Sequence, residues 1–375
     1  MTTTEFNETK FITATRRLFA DCLMPNGGIV AAPTHQPYYP KDAASYMSVW
    51  PGRDVGFALA AMLLLGDDHY ELFLRWLWER AEDVQTSPDP THKGLLFRNY
   101  YVNGRIFLHF LQPDQNGTLL WSIAFKQART GKPLSTLEKK VMTALADGLV
   151  RIWDRDRFVL PVEDLWEERG LRPGQGMFTY SLAACAVGLE AAGRLLGRSA
   201  YHQTSAAMKA ILADRSWDTG AKIIRRRIAG SLGSDTTPDG SLAGLVWPFN
   251  AGFDPAHLRR TLERIEGQLL TDRGVRRYPA DRYEGSLGDG HNHTNDMAGA
   301  WPILTFWLSI AWSELGDRKR AERYFSLMFE KLGDDYLIPE QLFCCHLVPW
   351  VGVKPLLWSH AMALFAAEKL GFLQY

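Results

Sequence analysis

A charge surplus of either sign, cysteines at metal-binding spacing and long apolar runs are all missing from this chain of 375 residues. Its 42 basic residues balance 42 acidic ones, so composition selects neither a nucleic acid nor an anionic membrane as an electrostatic partner. Cysteine occurs only as Cys22, Cys185, Cys344 and Cys345, whose spacing fits no metal-ligand pattern; reduced, buried thiols are the expectation. No uninterrupted apolar run reaches the ~18 residues of a membrane span. Met1-Thr2-Thr3-Thr4-Glu5-Phe6 lacks a basic region followed by an apolar one, so a cytoplasmic protein is expected. No linker or low-complexity segment divides the chain, which points to a single domain over residues 1–375. Nor is there a nucleophile elbow or a phosphate-binding glycine loop.

Aromatic residues, by contrast, are plentiful. Thirteen tryptophans exceed what a core needs, and rings lining a polar cleft are how proteins hold sugars, by stacking beside hydrogen-bonding carboxylates and guanidinium groups. More than half of them are still expected in the core.

The chain is punctuated by Gly66, Gly131, Gly197, Gly252, Gly316 and Gly371, each expected to close a helix in the left-handed conformation. They recur roughly every sixty residues, about the length of a helical hairpin with its loops. Six such hairpins closed in a ring make an all-α (α/α)6 toroid. One helix of each hairpin should be apolar all round and the other amphipathic. Pro302 to Leu315 is of the first kind, and the helix after Asp317 is of the second, with Ala321, Tyr324, Phe325 and Met328 on one stripe. Arg53 to Leu65 is likewise apolar, and Asp67 to Asp83 amphipathic with Leu72 and Trp76 turned inward. Asp254-Pro255 opens a further outer helix with Leu258, Leu262, Ile265 and Leu269 inward. The helix from about Leu356 to Leu370 has no partner after it, so the first helix, about Phe6 to Leu23, must close the ring. Small β-ribbons are expected in the loops, one turning at Asn103-Gly104 and one after Asp218-Thr219-Gly220.

Two segments carry acid–base chemistry. In Asp164-Leu165-Trp166-Glu167-Glu168-Arg169-Gly170, adjacent carboxylates follow an indole. Desolvation by the ring and repulsion between like charges would both raise a carboxyl pKa, so one of the pair is expected to stay protonated near neutral pH. Such a string alone is more often a solvated turn. In Leu337-Ile338-Pro339-Glu340-Gln341, proline stiffens the chain just before a lone glutamate, placing Glu340 on a rigid loop or helix start.

These segments, with Trp50-Pro51-Gly52-Arg53-Asp54 ahead of them in the chain, resemble the glucoamylase-type glycoside hydrolases over roughly residues 26 to 360. The resemblance implies an inverting exo-α-glucosidase with Glu167 as general acid, Glu340 as general base and Glu168 binding the leaving sugar. Tyr46, Arg53 and Asp54 would line the pocket for the terminal glucose, with Trp50 and Trp166 beside them. Arg277, in Val275-Arg276-Arg277-Tyr278-Pro279, would reach the sugars around the scissile bond, and Asp114 matches a polar loop more loosely. Trp358 would pack behind Glu340. Inversion requires the two carboxyl groups to stand ~6.5–9.5 Å apart, leaving room for the attacking water.

The expected substrate is a short α-gluco-oligosaccharide, isomaltose-type α-1,6 first, maltose-type α-1,4 second and trehalose third. No cofactor is expected. His291-Asn292-His293 has no third ligand at suitable spacing and reads as a polar loop, so no catalytic metal is expected either. A sugar epimerase or isomerase on the same scaffold is the rival, needing histidine bases from among His291, His293 and His360. Oligomeric state does not follow from the sequence.

Overall fold

The computed structural model describes residues 6–33, 44–167, 170–281, 283, 298–343 and 352–373. Eleven α-helices stand among them: α1 (Glu8–Cys22), α2 (Asp54–Leu64), α3 (Tyr70–Arg80), α4 (Pro113–Thr130), α5 (Thr136–Arg151), α6 (Thr179–Leu196), α7 (Ser199–Arg215), α8 (Pro255–Leu269), α9 (Pro302–Glu314), α10 (Arg318–Lys331) and α11 (Leu357–Lys369).

Helices α2, α4, α6, α9 and α11 form an inner ring, with a 3-10 helix at Gly240–Leu245 filling the place between α6 and α9. Each touches the next, and α11 touches α2, so the ring closes into the (α/α)6 toroid. As the unpaired last helix requires, α1 packs beside α11. Thr15 Oγ1 lies 2.9 Å from His360 Nδ1, and the Phe11 and His360 rings stack.

Polarity explains which helix goes where. Every residue of α9 from Pro302 to Trp312 is buried, whereas α10 buries Ala321, Tyr324, Phe325, Met328 and Phe329 on one side only. On α8 the buried stripe is Leu258, Thr261, Leu262, Ile265 and Leu269. Leu72 departs from expectation: it is 41% exposed, and α3 instead buries Tyr70, Phe73, Leu74, Trp76 and Leu77. Side chains of Asp254 and Asp317 cap α8 and α10. Gly131 and Gly197 close α4 and α6 with left-handed backbones. Gly252 shares that conformation but lies in the loop before α8, closing no helix.

The fourth inner helix is the stunted one. A Cβ on Gly240 would meet Leu304 at 2.6 Å and one on Gly244 would meet Trp307 and Tyr180 at 2.7 Å, so the backbone itself is pressed against its neighbours. Pro248 then withholds a backbone donor, and the turn does not lengthen into an α-helix.

Aromatic rings fill the lumen. Phe57 on α2 lies 5.3–5.9 Å from the rings of Trp121 on α4, Trp307 on α9 and Trp358 on α11. Such pairs contribute about 0.5–1.5 kcal/mol each beyond the area they bury. Among the described residues the loops carry only small antiparallel sheets. One pairs β1 (Phe97–Tyr100) with β2 (Ile106–Leu111), its turn at Gly104 as expected, another pairs Trp217–Asp218 with Ile223–Ile224, and a three-stranded sheet joins Gly176–Phe178, Arg227–Gly230 and Gly233–Asp235.

Candidate active site

A cavity of about 280 Å³ opens where the loops preceding the inner helices converge. Tyr46, Trp50, Arg53 and Asp54 reach it from the start of α2, Arg98 and Asn99 from β1, and Trp166 and Glu167 from the turn before α6. Arg277, Tyr283 and Trp301 arrive ahead of α9, and Glu340 ahead of α11. Five of the six hairpins thus supply the wall.

The close approach of these loops needs Gly52. A Cβ there would lie 1.9 Å from the Gln115 carbonyl oxygen, while the Gly52 amide donates to Gln115 Oε1 at 3.0 Å. Gly52 therefore lets the Tyr46–Asp54 loop seat against α4.

Glu167 has φ +64, a left-handed backbone that costs a non-glycine residue about 1–3 kcal/mol and is characteristic of functional turns. A buried clamp holds that turn. Trp166 Nε1 donates to Asp239 at 3.0 Å, Arg226 Nε lies 2.8 Å from Asp239, and Arg226 Nη2 reaches Asp164 at 3.1 Å. The Glu167 carboxyl is gripped on both oxygens. Trp50 Nε1 donates to Oε1 at 2.7 Å and Arg53 Nη1 lies 2.6 Å from the same oxygen, while Arg98 Nε meets Oε2 at 2.5 Å. Burial pushes this carboxyl up, but Arg53 and Arg98 outweigh it and hold Glu167 below its ordinary range. For Glu167 the expectation of a carboxyl raised by a neighbouring indole is thereby corrected; the other member of the pair, Glu168, lies outside the described residues. The Trp166 ring contributes its N–H to Asp239, and the groups that reach Glu167 itself are cations and the Trp50 N–H.

Glu340 behaves oppositely. Burial raises it to about 7, against the opposing pull of the Tyr46 hydrogen bond and the Arg277 and Arg53 charges. Tyr46 donates to Glu340 Oε2 at 2.7 Å, and its own hydroxyl lies 2.8 Å from that of Tyr283. The loop is rigid: Glu340 N donates to Val353 O at 2.8 Å, Ser359 Oγ to Pro339 O at 2.8 Å, and Ile338 N to His360 Nε2 at 2.9 Å. Beside Asp54, the cavity is therefore faced by Glu167, held below its ordinary range, and Glu340, raised to about 7, a pair that suits acid–base work on a neutral ligand.

Arg53 also ties Asp54 Oδ1 at 2.8 Å and donates to the Leu165 carbonyl at 2.9 Å. Arg277 is 2% exposed, paired with Asp281 at 2.6 Å and set against the Trp166, Tyr283 and Trp301 rings.

Two expectations are corrected. Asp114 does not line the cavity: it is fully buried in the first turn of α4, accepts from Ser181 Oγ at 3.0 Å, and burial raises it to about 7. Trp358 is on the cavity wall, with Arg53 over its ring at 5.3 Å, and not merely behind Glu340. Glu168, His291, His293, Cys344 and Cys345 lie outside the described residues. Cys22 and Cys185 are free and buried. Among the described residues no group of three or more His, Cys, Asp or Glu side chains could hold a metal ion. No helix among them is long and apolar enough to cross a membrane.

Arg98, Asn99, Tyr283 and Trp301 are wall residues that the sequence did not single out. A signal existed for one: Arg98 is the lone cation in Leu95-Leu96-Phe97-Arg98-Asn99-Tyr100-Tyr101-Val102, an otherwise apolar run broken only by Asn99.

The closed ring of helical hairpins is the fold of glucoamylase structures. No protein-family model matches the chain. It is 29% identical over 391 residues to an uncharacterized glycosyl hydrolase of Methanocaldococcus jannaschii, covering 95% of this chain and 55% of that protein. It is 29% identical over 273 residues to the isomaltose glucohydrolase of Kribbella flavida, covering 70% of this chain and 65% of that protein. The chain thus spans less than two thirds of the length of these relatives. Among solved structures, a wild-type glycosidase superposes with a TM-score of 0.74 at 22% identity, covering 99% of this chain and 100% of the other. A bacterial glucoamylase complexed with acarbose does so with a TM-score of 0.71 at 19% identity, covering 96% and 55%. In sequence the chain is thus similar to two glycoside hydrolases, and in fold to glycosidase and glucoamylase structures.

Proposed function

We propose that this protein is an inverting exo-α-glucosidase, with residues 1–375 acting as a single catalytic domain. It removes one glucose from the non-reducing end of a short α-gluco-oligosaccharide. The observation that carries the reading is that Glu167 and Glu340 face one cavity, each on a turn fixed by buried hydrogen bonds. Glu167 gives its proton to the departing oxygen, and Glu340 activates a water on the opposite face of the sugar, so that β-glucose leaves first. Arg53, Asp54 and Arg277 bind hydroxyls, Tyr46 orients Glu340, and the Trp50, Trp166 and Trp301 rings shape the wall. Glu168 is assigned to the leaving sugar.

Rings packed behind the cavity favour a blind pocket and hence removal of terminal units. The isomaltose glucohydrolase relative supports an α-1,6 linkage first; maltose and then trehalose follow. Solved glycosidases with glucose or acarbose bound support a sugar ligand.

Glu167 is held below its ordinary range and Glu340 is raised to about 7, so this chemistry requires a bound sugar to raise the first and lower the second. Initial rates on isomaltose, maltose and trehalose, for wild type, Glu167→Gln and Glu340→Gln, test the proposal. Isomaltose should be fastest and both variants nearly inert. Negligible isomaltose cleavage would remove the linkage preference, and retained activity in both variants would remove the mechanism.

A further inference from the structure

Arg98 projects from β1 between two carboxylates. Its Nε lies 2.5 Å from Glu167 Oε2 and 3.8 Å from Glu163 Oε2, and its guanidinium sits over the Phe110 ring. Glu163 is 6% exposed, and its Oε2 has no hydrogen-bond partner among the described residues. The charges that act most on Glu163 are Arg98 on β1, Glu167 and Asp164 on its own turn, and Arg53 at the start of α2, and His92, His109 and Arg172 line a cleft with it on its other side. Burial outweighs the arginines there and raises Glu163 to about 7.

Access to Glu167 is the difficulty that this arrangement answers. A departing glycosidic oxygen must approach one oxygen of the carboxyl. Oε1 is occupied twice, by Trp50 and by Arg53, whereas among the described residues Oε2 is held by Arg98 alone. Movement of that one side chain frees an oxygen, and a buried carboxyl oxygen already 3.8 Å from Arg98 Nε, with no hydrogen-bond partner among the described residues, stands on its other side to receive it. Leaving such an acceptor unpaired is costly, so Glu163 is poised for the exchange.

We propose that Arg98 is a two-position counter-ion: it holds Glu167 while the cavity is empty and passes to Glu163 when a sugar enters, and Glu167 takes up the proton that Glu163 releases. The O–H bond of Glu163 breaks and one forms on Glu167, so proton count and net charge are conserved. The assignment rests on Glu167 being the acid of the hydrolysis proposed above. Arg98 and Glu163 are thus positioning residues, acting through Glu167.

The test uses protein carrying ¹³C-labelled glutamate carboxyls, with the Glu167 resonance assigned by its loss in Glu167→Gln. Titration of the free wild type should place Glu167 below 4.5. Arg98→Gln should raise it by about one pH unit or more, and Arg98→Lys should restore it. Saturating glucose should raise the Glu167 midpoint in wild type and leave it in place in Glu163→Gln. An unchanged midpoint in Arg98→Gln, or an equal glucose response in Glu163→Gln, overturns the proposal. In a kinetic arm, isomaltose needs a proton on its leaving oxygen, and α-glucosyl fluoride does not. Glu163→Gln should lose roughly tenfold more rate on isomaltose than on the fluoride, and equal losses would mean a merely structural role. Should wild type cleave neither substrate, the hydrolase reading fails, while the carboxyl titration still decides the position of Arg98.

Discussion

Tyr46 donates its phenolic proton to Glu340 Oε2 across 2.7 Å, joining the loop before α2 to the loop before α11. The bond pulls the Glu340 pKa down, while burial, the larger influence, pushes it up. Tyr46→Phe removes the downward pull. A general base works above its pKa, so raising that pKa moves the acid limb of the kcat/KM profile to higher pH. A displacement of about one unit is expected, with kcat/KM at pH 5 falling roughly tenfold. Rate measurements from pH 4 to 9 check it; an unmoved acid limb would separate Glu340 from the role of base.

Arg53 engages Asp54, the Leu165 carbonyl and Glu167 with one planar group. Lysine carries the same charge but no fork. Arg53→Lys is therefore expected to fold and to lose roughly 10²-fold or more in kcat/KM on isomaltose, because misplacing a positioned group is costly. Steady-state kinetics alongside a melting curve separate this from unfolding. Full activity in a well-folded variant would remove Arg53 from the glucose pocket.

Asp114 offers a test of stability rather than rate. Its folded-state pKa is raised by burial to about 7, from an ordinary 3.8. Between those values the folded protein binds the proton and the unfolded chain does not, so this group's contribution to stability falls as pH rises through the window. Asp114→Asn abolishes the dependence. The melting temperature of the variant relative to wild type should rise between pH 4 and 8, by an amount corresponding to as much as a few kcal/mol. A constant difference would show that Asp114 titrates normally.

Much of the ring was legible because inner and outer helices differ in polarity, as α9 and α10 do, and because Asp254 and Asp317 cap helices through local bonds. The rigid seat of Glu340 was legible in Pro339. The shortened helix at Gly240–Leu245 was not, since its cause is contact with Leu304, Trp307 and Tyr180. Neither was the charge state of Glu167. Its adjacent residues suggest a raised pKa, but the side chains that decide it include Arg98 and Trp50, 69 and 117 residues away along the chain. Asp114 misled for a similar reason: a polar loop motif does not reveal which way its carboxylate faces.

The two glutamates must act from opposite faces of one sugar, and the configuration of the first product reports this directly. Proton NMR of isomaltose mixed with wild-type protein, followed from the first minute before mutarotation equilibrates the anomers, should show the β-glucose H1 signal appearing ahead of the α. The α anomer appearing first would contradict inversion, and with it the assignment of Glu340 as the base that activates water.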